Sequence, residues 1–142
     1  MTLFNLSKTG LILSILSIIA GAVVRATGSG NGCGSSWPSC NGQVIPSLNS
    51  ASEQIEFSHR SISGLLLIVT LLIFIKSFHP SVPNIQKKVI KYLTFFVLFE
   101  ALIGAVIVLY EWVGMNSSLP RVAAVPLHLV NTFGLLAMYT VI

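Results

Sequence analysis

The chain has 142 residues, 54% of them hydrophobic and only 8% charged, with a formal net charge of +4 and a mean hydropathy of +0.86. A water-soluble domain carries about 25% charge, so a water-facing globule is excluded and the composition is that of an integral membrane protein. The basic excess is not a nucleic-acid signal: Lys87, Lys88 and Lys91, with Lys76 just before them, gather around one short loop, as a membrane topology determinant does.

A spanning helix needs about 20 mostly apolar residues. Four stretches meet this need: about 6–24, 55–75, 92–110 and 122–142. The expected architecture is therefore all-α, an integral membrane four-helix bundle forming a single domain over 1–142. The first stretch has a second reading. Lys8, an apolar run and Ala20-Gly21-Ala22 also resemble a cleavable signal peptide, which would leave three spans. The retained helix is preferred because of the family resemblance described below.

Orientation follows from the lysines. The positive-inside rule makes the loop between the second and third stretches cytoplasmic. Both termini are then cytoplasmic, and 25–54 and 111–121 are external, in the cell membrane or an inner membrane. The long outer loop is rich in Gly, Ser and Asn, a composition that gives turns. It holds the only two cysteines, Cys33 and Cys40. Outside the cytoplasm a disulfide is the default, and it closes a short loop. The competing use is a redox-active pair, which the spacing disfavours because it is not Cys-x-x-Cys. His79 lies in a cytoplasmic Pro-containing turn and carries no chemical expectation.

Glu56-Phe57-Ser58-His59-Arg60 opens the second stretch, and His128 stands near the start of the fourth, after Pro126. Pro126 suits a first helical turn. The second and fourth helices run in the same direction, so both imidazoles lie at similar depth near the outer face. Ionisable groups in a membrane are functional candidates, and bundle cofactor sites are built from inward-facing side chains. Paired histidines suit a heme iron. Gly64 and Gly134 are expected to make room for the ring. The competing reading is two interfacial histidines that only hydrogen-bond to neighbouring helices. Glu56 shares a helix face with His59 and lies four residues before Arg60. It is either a first-turn acid that favours the helix dipole or an acid–base group beside a substrate. Glu100, near the centre of the third stretch, is about 15 Å below its outer end, too deep to act with Glu56. It is expected to be neutral or hydrogen-bonded within the bundle, with Ala101, Gly104 and Ala105 giving that helix a small-residue packing face.

The segments Gly21-Ala22-Val23-Val24-Arg25-Ala26-Thr27-Gly28-Ser29-Gly30, the cysteine loop through Trp37-Pro38-Ser39-Cys40-Asn41-Gly42, Glu56-Phe57-Ser58-His59-Arg60 and His128-Leu129-Val130-Asn131 together resemble the N-terminal half of heme A synthase. That resemblance implies a membrane protein of two similar four-helix halves, which oxidises a methyl group of heme O to a formyl group, giving heme A for cytochrome oxidase. It implies His59 and His128 as axial ligands of the substrate heme iron, Glu56 as the catalytic group and a Cys33–Cys40 disulfide. The implied partners are heme O, membrane lipid, heme O synthase and the cytochrome oxidase assembly route. Two departures stand out. Glu100 occupies a position where the family is expected to carry glutamine. The second half, with its heme b site, is absent, so the chain is expected to be a half-length protein that dimerises or a product lacking its C-terminal half. Arg25, Arg60 and Arg121, all at the outer face, are each open as partners of a heme propionate, because a guanidinium binds carboxylate as a fork. Two other functions stay open: a b-type bis-histidine electron carrier and a thiol-redox membrane protein.

Overall fold

The computed structural model describes residues 2–47, 49–114 and 116–142. It is all-helical, with four long helices: α1 Leu3–Ala26, α2 Ala51–Ser77, α3 Asn84–Leu109 and α4 Leu119–Val141. Each is long and apolar enough to cross a membrane. Many large apolar side chains face outward, among them Phe4, Ile19, Ile68, Phe95, Leu102 and Phe133. This is how a helix bundle meets lipid rather than water, since backbone polar groups are satisfied within each helix.

The helices begin earlier than the apolar runs, and in α1 and α2 a polar residue caps the start. Thr2 accepts a hydrogen bond from the Asn5 amide at 3.2 Å, and Ser50 accepts one from the Glu53 amide at 3.3 Å, satisfying donors that the helix leaves free. The largest shift is in α3, which starts at Asn84 after Pro83; α4 shifts less. It starts at Leu119, with Pro120 in its first turn. Pro126 is therefore inside the helix rather than in its first turn, where it removes one backbone donor. Arg121 is helical.

α1 packs most extensively on α2, and α3 on α4, with further contact between α2 and α3 and between α1 and α4. α2 and α4 are thus diagonal and run in the same direction. The dry core sits at the end marked by Lys76, Lys87, Lys88 and Lys91, called the lysine end below. It contains Leu6, Leu66, Ile73, Ile90, Leu93, Val97, Leu135 and Tyr139. There the Tyr139 hydroxyl crosses the diagonal and shares a 2.6 Å hydrogen bond with Thr70 Oγ1. Gly10 of α1 makes room for it, since a Cβ at that position would overlap the Tyr139 ring.

Candidate functional site

The opposite end is closed by the loop between α1 and α2, where Cys33 and Cys40 form a disulfide. A short 3₁₀ turn at Ser29–Asn31 and an isolated bridge between Cys40 and Gln43 shape it. The loop lies flat on the first turn of α2: a Cβ on Gly32 would collide with the Ser52 carbonyl. Polar side chains of α2 hold it there. Glu53 accepts hydrogen bonds from Asn41 Nδ2 at 3.1 Å and from the Ser47 amide at 2.9 Å.

Glu56 is buried and fully engaged. Its Oε2 accepts the Cys33 amide at 2.9 Å, and its Oε1 pairs with the Arg60 guanidinium. Arg60 Nη1 in turn donates to the carbonyls of Ser36 and Ser39, at 2.5 and 2.8 Å. Glu56 and Arg60 therefore form one ion pair that fastens the disulfide loop to α2. This arrangement places Arg60 among the loop carbonyls and distinguishes it from Arg25 and Arg121.

Below this pair, His59 turns toward α1. A Cβ on Gly21 would lie 3.1 Å from His59 Cε1 and 3.6 Å from Nε2, so the imidazole rests on bare α1 backbone. Its Nδ1 is buried with no hydrogen-bond partner. Across the bundle, His128 of α4 rests in the same manner on α3, with Cε1 3.6 Å from a Cβ built on Gly104. His128 Nδ1 is also buried without a hydrogen-bond partner; Glu100 Oε1 is 3.3 Å away but outside hydrogen-bond geometry.

Gly64 and Gly134 differ in their surroundings. Gly64 has open space around its Cβ position, and a Cβ on Gly134 would press on the Phe96 ring at 2.8 Å. Room for each imidazole comes from the neighbouring helix. Gly21 and Gly104 supply that room. Their antiparallel placement beside α2 and α4 is what the sequence does not display.

Glu100 forms a second polar centre. It accepts Asn131 Nδ2 at 2.6 Å and the Thr132 hydroxyl, while Asn131 also donates to the Phe96 carbonyl at 2.8 Å. Asn131 and Thr132 follow His128 by three and four residues, so the network underlies the histidine on one face. Sequence reasoning leaves Glu100 hydrogen-bonded within the bundle; its approach to His128 follows from Gly104, one turn further on, which touches the same ring. A cleft of about 410 Å³ lies at the lysine end between Thr2, Ile75 and His79, away from both histidines. A smaller one, about 240 Å³, is lined by Arg25, Arg121, Val122, Val125 and Pro126.

These residues fit a heme on structural grounds: two unpartnered imidazole nitrogens, rings seated on glycines of the adjacent helices, and the diagonal that places them opposite each other. Comparison with known proteins points the same way. The profile of COX15-CtaA, a family described as cytochrome oxidase assembly protein, matches residues 5–55. Heme A synthase of Macrococcus caseolyticus is 40% identical over 116 residues, covering 75% of this chain and 37% of that protein. Heme A synthase of Exiguobacterium sp. AT1b is 39% identical over 100 residues, 68% of this chain and 33% of its own length. The chain is similar to the N-terminal part of heme A synthases. A protein of Thermus thermophilus named protoheme IX farnesyltransferase is 41% identical over 133 residues, 89% of this chain but 21% of that protein. The chain thus spans about a fifth to about a third of the length of these relatives. No solved structure matches it. The profile match covers α1, Gly21, Arg25 and the disulfide loop, and ends just before Glu56.

Proposed function

We propose that this chain binds heme O as substrate within a heme A synthase-type oxidoreductase that supplies heme A to cytochrome oxidase. His59 and His128 would hold its iron through their imidazoles. The observation that carries this reading is the diagonal histidine pair, with each ring resting on a glycine and each Nδ1 unpartnered. An iron porphyrin held there presents its edge to the end closed by the disulfide loop. The oxidation of a methyl to a formyl group takes its oxygen from water and releases protons as well as electrons, as R–CH3 + H2O → R–CHO + 4 H+ + 4 e−. Glu56, three residues before His59, is the carboxylate proposed to take a proton, and Arg60 has to loosen its hold for it to do so. The disulfide keeps the loop, and with it the Cys33 amide, on Glu56. The whole of 1–142 is read as one bundle, with both termini and the lysine end in the cytoplasm and the disulfide loop outside. The electrons leave to an acceptor outside this chain, which a second copy or a C-terminal half carrying heme b would supply.

Purified chain given heme O should develop a low-spin bis-imidazole spectrum, and His59→Ala or His128→Ala should each abolish it by removing an axial ligand. Persistence of the normal spectrum in the double variant would place the heme elsewhere. Glu56→Gln keeps an acceptor for the Cys33 amide, so the heme should stay bound while formyl formation stops. An unchanged conversion rate would remove Glu56 from the chemistry. The pigment carried by the protein from cells separates this function from a b-type electron carrier, which would hold heme B. The thiol-redox reading predicts that replacing both cysteines abolishes activity with heme binding intact.

The name of the Thermus relative raises prenyl transfer as a second chemistry. Departure of a diphosphate assisted by a divalent cation needs clustered carboxylates. The chain contains no aspartate, and among the described residues no three potential ligands stand together. This segment is therefore assigned to the heme-oxidising function.

A further inference from the structure

The cleft of about 240 Å³ between the disulfide-loop ends of α1 and α4 contains two guanidinium groups, Arg25 and Arg121. Arg121 Nη1 donates to the Asn116 carbonyl at 2.7 Å, but its Nε is buried without a partner. Among the described residues no carboxylate pairs with either arginine. Arg25 is exposed and Arg121 half-buried, so the donor that calls for a partner is the buried Arg121 Nε, which an anion in the cleft would satisfy. Arg60, the third arginine of this end, is already neutralised by Glu56.

The cleft also stands in register with the histidines. Arg25 follows Gly21, the seat of the His59 ring, by one turn on the same face of α1. Arg121 precedes His128 by seven residues, two turns or about 10 Å toward the same end. Val125, between them at three residues from His128, lines the cleft. Its floor therefore descends to within one turn of the imidazole.

We infer that the Arg25–Arg121 cleft is a carboxylate-binding site that receives the propionate groups of the porphyrin. This rests on the heme reading above, and it adds a direction: the propionates point to the end closed by the disulfide loop. A guanidinium fork matches a carboxylate in shape and charge. The same chemistry would accept the phosphate of an anionic lipid, and the test separates the two.

The probes are ferric protoporphyrin IX and its dimethyl ester, titrated into the purified chain in phosphatidylcholine nanodiscs and followed by absorbance. The ester keeps the iron and the ring but removes both negative charges. The wild-type chain should prefer the free acid, and Arg25→Gln and Arg121→Gln should each weaken that preference on the order of tenfold. The double variant should bind acid and ester alike, still with the bis-imidazole spectrum. Arg25→Lys with Arg121→Lys, which keeps charge without the fork, should fall between and shows that the loss is not misfolding. A double Gln variant that still prefers the acid overturns the proposal. So does a wild-type chain with no preference, or one whose preference disappears when phosphatidylglycerol is added, because a lipid phosphate then owns the cleft. The histidine reading is judged separately: it fails if neither porphyrin gives the bis-imidazole spectrum, whatever the acid-to-ester ratio.

Discussion

The two ends of the bundle are built from the same four helices by opposite means. At the lysine end, Leu6, Leu66, Ile73, Ile90, Leu93, Leu135 and Tyr139 fill the axis with apolar side chains, and a single Thr70–Tyr139 hydrogen bond crosses it. At the disulfide end the axis is lined by His59 and His128, which lean on glycines, with Glu100, Asn131 and Thr132 beneath and arginines above. In lipid, helices gain little from burying apolar surface against each other, so close packing and polar contacts decide where they adhere. The lysine end is thus the clamp of the bundle. The disulfide end is held from outside, by a loop fastened through Glu56 and Arg60, and its interior is free to be shaped for a ligand.

This contrast predicts where substitutions will cost stability and where they will cost function. The largest effect is expected for Glu56→Ala. It leaves Arg60 without its buried partner and frees the Cys33 amide, and breaking such a pair costs about 3–5 kcal/mol. Unfolding followed in detergent should show this loss, with the loop becoming open to proteolysis between the cysteines. If stability is unchanged, the loop is not fastened by the ion pair. Next is Gly10→Ala at the lysine end. The new methyl would overlap the Tyr139 ring and force it off Thr70, and overpacking of this kind costs about 1–3 kcal/mol. A lowered melting temperature, with normal absorbance of any bound heme, is the expected result.

The lysine end and the helices are legible from the sequence because they depend on local pattern. Length and apolarity mark a span, whereas the capping hydroxyls of Thr2 and Ser50 lie outside the apolar runs and set the helix starts ahead of them. The histidines and the cysteines are legible too, since polar residues are so few that each one counts. What cannot be read is which groups meet across helices. From the sequence, Glu56 is a first-turn acid or a catalytic one; its contact with the Cys33 amide joins residues 23 positions apart, and no periodicity reports that. Gly64 and Gly134 follow the histidines along the chain, whereas Gly21 and Gly104 touch them from other helices. Gly21 in particular stands inside Ala20-Gly21-Ala22, where small residues also suit a signal-peptide cleavage site. Helix phase between neighbours is set by the packing of both, so it appears only in three dimensions.

The smallest effect on stability, and the sharpest separation of the two ends, is expected for Gly21→Ala. Alanine favours a helix over glycine by about 1 kcal/mol, and here the new methyl meets only the edge of an imidazole, at 3.1 Å from His59 Cε1. The ring can turn aside by a few tenths of an ångström, so the melting temperature should hold or rise. The same movement shifts the nitrogen that is proposed to hold iron. Reconstituted with ferric protoporphyrin IX, the variant should therefore bind more weakly or show an altered low-spin spectrum, while Gly10→Ala shows neither. The pair of measurements distinguishes a clamp from a site: the same Gly→Ala change lowers stability but spares binding at one end, and spares stability but disturbs binding at the other. If Gly21→Ala lowers stability as much as Gly10→Ala and leaves the spectrum untouched, α1 packs on α2 through His59 as it does through its other residues, and the imidazole is part of the clamp.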